Sequence, residues 1–485
     1  MARTFRSGIQ QNGGKVMNKV RKLPLTVAAL LGLGAAPGTQ AVNLSTDGLG
    51  EVLLVPYYTS RAVPNTENHW TTLVNLTNTS DKAVVVKVRL RRATDSGEVL
   101  DFLVALSSHD VFTFVVEDDG SGNPRVRITD PDTCRVPNSN SYPISDSSGD
   151  EGYIEILELG YAENNALAGA INGHQCNQVG SYFTHNIDAA AQQLGEPINV
   201  LKANWRLLNG ALGMEGGDEA VAWANFYNPL GGADGEVEPS DNEGCSLNLG
   251  DVGWMPDGSG GSCMNLAAAQ LPATEHLPNL DNAYPVQANW WDDRLNVPLM
   301  MIPESGEGYD AVNLTILRSA AINEWVGLQN STWTVDTEWI VTFPTKHFGQ
   351  SGCYQVAFEL YDRAQNPATF TSPSKPPELC NEVNVLRFNH FGILGSSVQQ
   401  DIDLDGLVER GWMRLHLDSD PNAYLASRPR GIARLVRKWF GLPVVGVAVK
   451  QRVVANDVTK NYISIVPHAY ERRFEDIRED APVDP

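Results

Sequence analysis

The segment Asp401-Ile402-Asp403-Leu404-Asp405-Gly406-Leu407-Val408-Glu409 places three carboxylates at alternate positions ahead of a glycine. Oxygen ligands in that pattern, followed by a tight turn, suit a calcium loop. Asp401, Asp403 and Asp405 would give side-chain oxygens, Leu407 its carbonyl and Glu409 one more carboxylate. Such an ion (Ca2+) would be structural. An EF-hand wants glutamate at the twelfth position, where Trp412 stands, so the loop is not a complete EF-hand. The competing reading is an acidic turn ahead of a strand, which leaves three like charges close together.

Trp290 and Trp291 are followed by Asp292 and Asp293. Aromatic faces stack on sugar rings and carboxylates bond hydroxyls, so this run is a candidate carbohydrate platform. The plainer reading is that tryptophans anchor cores and loops. Arg428, Arg430, Arg434, Arg437 and Lys438 form a basic cluster, with Ile432, Leu435, Val436, Trp439 and Phe440 near helical spacing beside them. That predicts a helix over 428–440 that lies on an anionic surface or packs on its own domain with its arginines paired internally. Hydrolase signals are poor. Residues 257–263 have a flexible turn's composition rather than a protease's order. The nine histidines are dispersed, and none forms H-E-x-x-H. A glycosidase needs only two carboxylates at a set separation. With 58 acidic residues no pair stands out, and no catalytic residue is assigned.

Met17 to Lys22 is basic, Leu23 to Ala36 is apolar, and Pro37 to Ala41 is small-residue rich. That is the order of a secretory signal peptide. Met17 is read as its start and Ala41 as its last residue. The apolar run falls short of the ~20 residues of a membrane helix, and nothing later in the chain suggests a transmembrane segment. Residues 1–41 carry six basic and no acidic side chains, so the remainder has 30 basic against 58 acidic, a net charge of −28. That repels nucleic acid. Cys134, Cys176, Cys245, Cys263, Cys353 and Cys380 all follow the signal. In an exported chain an even count points to disulfides, and the simplest pairing joins sequence neighbours: Cys134–Cys176, Cys245–Cys263 and Cys353–Cys380.

Strand patterns dominate the exported part. Val84, Val86, Val88 and Leu90 alternate with Val85, Lys87, Arg89 and Arg91, which predicts one buried and one wet face. Further strands are expected at 51–59, 70–77, 99–106, 111–116, 153–159, 199–214, 219–227, 309–317, 337–344, 354–361, 412–417, 444–454 and 462–467. Ile187–Leu194 reads as a short helix and 118–150 as loop. The fold class expected is mainly β, with immunoglobulin-like antiparallel β-sandwich domains, long loops and a few short helices. The expected division is a signal peptide (1–41), an N-terminal sandwich (42–228), a loop-rich linker (229–284), a C-terminal β-rich domain (285–470) and an acidic tail (471–485).

Asp47 to Thr59, Val74 to Ser80, Trp339 to Lys346 and Gly441 to Gly446 resemble the corresponding stretches of a group of uncharacterised secreted, β-rich proteins of proteobacteria. The resemblance implies a bacterial, exported, mostly β protein and transfers no site residues. The reading that follows is a non-enzymatic structural or adhesive surface protein that self-associates or meets other cell-surface components. Its address would be the periplasm, the outer surface or the medium. A carbohydrate-binding protein and a secreted hydrolase are the alternatives.

Overall fold

The computed structural model describes residues 43–478 apart from 65, 186–188, 191, 196, 225, 227–254, 257–262, 265–288, 293–296, 302–309, 347–351, 365, 368–377, 389–391, 403–408, 422–423 and 430–434. The described chain is mainly β, in several antiparallel sheets. The first half contains β1 (Asn43–Leu44), β2 (Val52–Thr59), β3 (Thr71–Asn78), β4 (Ala83–Arg92), β5 (Glu98–Leu106), β6 (Val111–Asp118), β7 (Pro124–Ile128), β8 (Cys134–Val136), β9 (Ser141–Pro143), β10 (Glu151–Ala162), β11 (Leu201–Asn209), β12 (Met214–Glu219) and β13 (Val221–Ala224). One sheet is ordered β1-β13-β2-β10-β4-β5-β8, the other β12-β11-β3-β6-β7-β9. Strands β7 to β9 occupy the stretch that composition alone reads as loop.

Alternation sets the inner faces. Every second residue of β3 is buried, Val74 and Leu76 among them. They share one apolar cluster with Val84, Val86, Val88 and Leu90 of β4 and with Phe112 and Phe114 of β6. The two sheets therefore pack face to face. Phe102 of β5 meets Phe114 edge-on at 5.9 Å and stacks on Tyr142 at 4.9 Å.

The other face of β4 departs from expectation. Val85, Lys87, Arg89 and Arg91 are buried rather than wet. Helices α1 (Ala166–Asn172) and α2 (Cys176–His185) cover the Val85 end, where Leu167, Ile171, Val179 and Phe183 join Val85, Leu103 and Ala105. Asn165 caps α1 by accepting from the Ala168 amide at 2.9 Å. The Cys134–Cys176 disulfide ties α2 to β8. Further along, Asp101 meets Lys87, Glu98 meets Arg89 and Glu155 meets Arg91. Period two reports which residues share a face, not whether water reaches it. Of the helix expected at 187–194, Ala189 and Ala190 are helical and Gln192 and Gln193 form a turn.

The second half begins with β14 (Asn289–Asp292), β15 (Val297–Met301) and α3 (Asp310–Ile316). Helix α3 replaces the strand expected at 309–317. Its run of Val, Thr and Ile favours a strand locally, but tertiary contacts override it. Leu314 and Ile316 enter the first-half cluster, and Thr315 Oγ1 accepts from Trp223 Nε1 at 2.7 Å. Then come β16 (Ala320–Val326), β17 (Trp333–Thr342), β18 (Ala357–Asp362), β19 (Val383–Arg387), β20 (Gln399–Asp401), β21 (Arg410–His416), β22 (Tyr424–Pro429), β23 (Leu435–Phe440), β24 (Val445–Val454), β25 (Tyr462–Pro467), β26 (Ala469–Glu471) and β27 (Arg473–Arg478). The sheets run β20-β19-β17-β24-β25, β18-β21-β16-β26 and β14-β15-β22-β23-β27. The pair β19–β20 is parallel.

Strands β22 and β23 fall where a helix over 428–440 was expected. Arg437 explains the error. It grips Asp476 of β27 with two hydrogen bonds, 2.6 and 2.9 Å, and lies over the Phe474 ring at 4.0 Å. Arg437, one of the positions that mimic an amphipathic helix, here serves cross-strand pairing.

Strand β17 joins the two halves. Ile340, with Val385, Val447 and Val449, belongs to the same cluster as the β2, β4 and β10 residues. Trp339 and Val341 face a separate cluster with Trp325 and Phe388. Thr342 Oγ1 donates to the Pro56 carbonyl at 2.7 Å, and the Val383 amide donates to the Ala93 carbonyl at 2.9 Å. Gly216 in β12 lies so close to β25 that a Cβ there would meet Ile463 Cγ2 at 2.9 Å. Replacing Gly216 by Val should lower stability by ~1–3 kcal/mol through overpacking. Gly210, which has open space around it, should accept alanine within about 0.5 kcal/mol. Urea unfolding of both variants checks this; equal stabilities would mean that β12 and β25 do not meet closely.

Candidate functional site

Where β17 faces the first half, it carries Asp336 and Glu338 two residues apart on one side of the strand. Both are fully buried, at 0% exposure. Glu338 Oε1 accepts from the Ile393 amide and Oε2 from the Leu394 amide, each at 2.9 Å. These amides belong to the loop between β19 and β20. The first half grips the same loop. Trp70 Nε1 donates to the Ile393 carbonyl at 3.0 Å, and Arg61 Nε donates to the Gly395 carbonyl at 2.6 Å. Glu151 of β10 accepts through Oε1 from the Ser397 amide at 2.6 Å and hydroxyl at 2.5 Å. Its Oε2 accepts from the Tyr57 hydroxyl at 3.0 Å. Gly395 has φ +64°, and a Cβ on it would strike the Ala62 carbonyl. Glycine lets this loop enter so closely.

Charge in this stripe is uneven. Arg61 pairs with Asp150 at 2.6 Å. Arg387, opposite Glu338 in the sheet, spends its guanidinium on Asp401. Asp336 Oδ2 lacks a hydrogen-bond partner, as does Oε1 of Gln451, the residue directly opposite it on β24. Burial, then the neighbouring Glu338 charge, push the Asp336 carboxyl up to about 8. Burial pushes Glu338 up to about 7, against the pull of the loop amides. Two neighbouring carboxylates with raised pKa values are what an acid–base site would use. Here both oxygens of Glu338 and both of Glu151 are engaged in holding the loop and Tyr57. What the arrangement does chemically is bind backbone.

The candidates from sequence fall elsewhere. Asp401 lies in β20 with its oxygens bonded to Arg387 Nε and Nη2 at 2.6 and 2.8 Å, so a guanidinium already sits on this carboxylate. Glu409 is exposed, and its carbonyl accepts from the Gly327 amide at 2.8 Å. Asp403, Asp405 and Leu407 lie outside the described residues. Trp290, Trp291 and Asp292 lie in β14, opposite Leu299, Pro298 and Val297; Asp293 is outside the described residues. Cys134–Cys176 and Cys353–Cys380 are disulfides. Cys263 lies in a short strand, and Cys245 is outside the described residues. The Cys353, Cys380 and Glu378 side chains converge as metal ligands would, but the disulfide leaves no thiolate to bind an ion.

Asp336, Glu338 and Glu151 were missed because acids in strands read as solvent-facing. The available signal was Glu338 beside Trp339 in a strand with no wet side. A half-exposed aromatic pair was missed as well: Tyr361 and Trp412 stack across β18 and β21 at 4.5 Å. Each ring covers a face of the other, which suits a cross-strand clamp. Among the described residues no helix is long and apolar enough to cross a membrane. No family model, curated protein or solved structure matches the chain.

The raised pKa values fix the sign of a pH dependence. The folded state holds protons on Asp336 and Glu338 that the unfolded chain releases near pH 4. This stabilisation is complete below that pH and is lost as pH climbs through about 7 for Glu338 and about 8 for Asp336. The denaturation midpoint should therefore fall from pH 5 to pH 8, with Asp336 the larger contributor. Asp336→Asn should flatten the upper part of that slope. A variant that keeps the wild-type slope would show that Asp336 does not titrate in this range.

Proposed function

We propose that this chain is an exported, non-enzymatic structural or adhesive protein of the bacterial surface. The observation that carries the reading is the use made of the buried acids. Glu338 and Glu151, one from each half, devote both oxygens to fastening one loop and Tyr57. A site that acts on substrate needs groups able to change partners during a reaction. These groups are held inside a shared core by hydrogen bonds to the loop and to Tyr57. Disulfides, paired surface charges and long sheets suit a body that bears load or presents loops. The first-half sheets are read as an immunoglobulin-like sandwich. Self-association and contact with other surface components are the partner classes that fit.

Protease shaving of intact cells, with periplasm and medium assayed in parallel, tests the proposal. The chain should be cut on intact cells or recovered in a sheared, sedimenting fraction. A wholly soluble periplasmic pool, untouched by the protease, would contradict it.

A further inference from the structure

Lys87 of β4 and Asp101 of β5 sit on adjacent strands. Lys87 is opposite Leu103 and Arg89 is opposite Asp101, so the two side chains are diagonal neighbours on one face. Lys87 is 0% and Asp101 6% exposed. Lys87 Nζ touches Asp101 Oδ2, yet neither atom has a hydrogen-bond partner. The amine and the carboxyl therefore meet without the geometry of an ordinary buried ion pair. Such a pair is costly to hold in that state, because its lost hydration is not replaced by hydrogen bonds.

The surroundings are water-poor. Leu157 of β10 and Leu103 flank Lys87 from the two neighbouring strands, and both are buried. Val85, two residues earlier on the same face, is fully covered by the helical layer. Burial lowers the Lys87 amine and pushes the Asp101 carboxyl up to about 6, against their mutual attraction. Burial thus works against the charged form of each partner. A second carboxylate, Glu98, acts electrostatically on both. Arg89 holds it from Nε at 2.6 Å and Nη2 at 2.5 Å.

We propose that Lys87 and Asp101 condense into an intramolecular isopeptide bond that links β4 to β5, with Glu98 carrying the proton. The Nζ lone pair attacks Asp101 Cγ, and the N–C bond forms. Glu98 takes a proton from the nitrogen and passes it to the hydroxyl oxygen. The Cγ–OH bond breaks and one water leaves. Glu98 ends as it began, no electrons change hands and no co-reactant is needed. In bulk water this condensation fails because both groups ionise and water competes. Here exclusion of water and fixed proximity, worth a very high effective concentration, remove both obstacles. The product replaces a buried charged pair with a neutral amide. This inference stands apart from the proposed function, although a covalent tie between strands would suit a load-bearing body.

Mass spectrometry of the full chain, reduced and alkylated, decides the matter. Its mass should be lighter by one water than the sequence of the mature chain requires. Trypsin should fail to cut after Lys87, and the Lys87 peptide should be joined to the one holding Asp101. Lys87→Arg, Asp101→Ala and Glu98→Gln chains should each show the full mass. A wild-type chain of full mass that trypsin cuts after Lys87 overturns the proposal whether or not the variants fold. A linked Glu98→Gln chain would overturn the role given to Glu98.

Discussion

Two carboxylates from opposite halves of the chain hold the same loop, and the joining of the halves depends on that constraint. Glu338 binds the loop at Ile393 and Leu394, and Glu151 binds it at Ser397. Hydrogen bonds to charged groups contribute about 1.5–3 kcal/mol each. A buried carboxylate left without them is destabilising by more than that. The loop and the acids therefore require one another. Trp70 and Arg61 complete the grip from the first half, and Thr342 bonds back to Pro56. The apolar cluster running from Val52 to Ile463 encloses this polar stripe and keeps water from competing for it.

The same principle recurs in the outer face of β4. Lys87, Arg89 and Arg91 are withdrawn from solvent, each beside an acid from β5 or β10. Burying charge is costly unless partners are fixed in place, and the flanking strands supply those partners in register. Strand β4 can then lie inside its sheet with both faces covered. Arg437 repeats the device in β23, where it bonds Asp476 and lies over Phe474. Charge in this protein fixes the register of strands at several depths.

Much of the fold was readable from pattern. The strand patterns at 70–77, 83–91, 412–417 and 444–454 place β3, β4, β21 and β24, and neighbouring cysteines identify two disulfides. Other features depend on distant residues. Nothing near Lys87 in the sequence announces the cover over its face. The α3 run is strand-like, and Trp223 draws it into a helix from far along the chain. Arg437 fits a helix pattern until β27 brings Asp476 to it as a partner. The buried acids were invisible for a related reason. Asp336 and Glu338 look like the wet side of a strand, and the loop amides that bind Glu338 lie more than fifty residues away. Asp401, the first residue of the candidate calcium loop, bonds Arg387 fourteen residues before it.

The central claim is that the junction makes the two halves one cooperative unit. Native-state hydrogen exchange along a denaturant series tests it most directly. Amides of β2 and β10 in the first half, and of β17 and β24 in the second, should exchange through one shared opening with the same free energy and denaturant dependence. If β17 and β24 open at distinctly lower free energy while β2 and β10 stay protected, the halves unfold separately. The carboxylate-bound loop is then not what joins them.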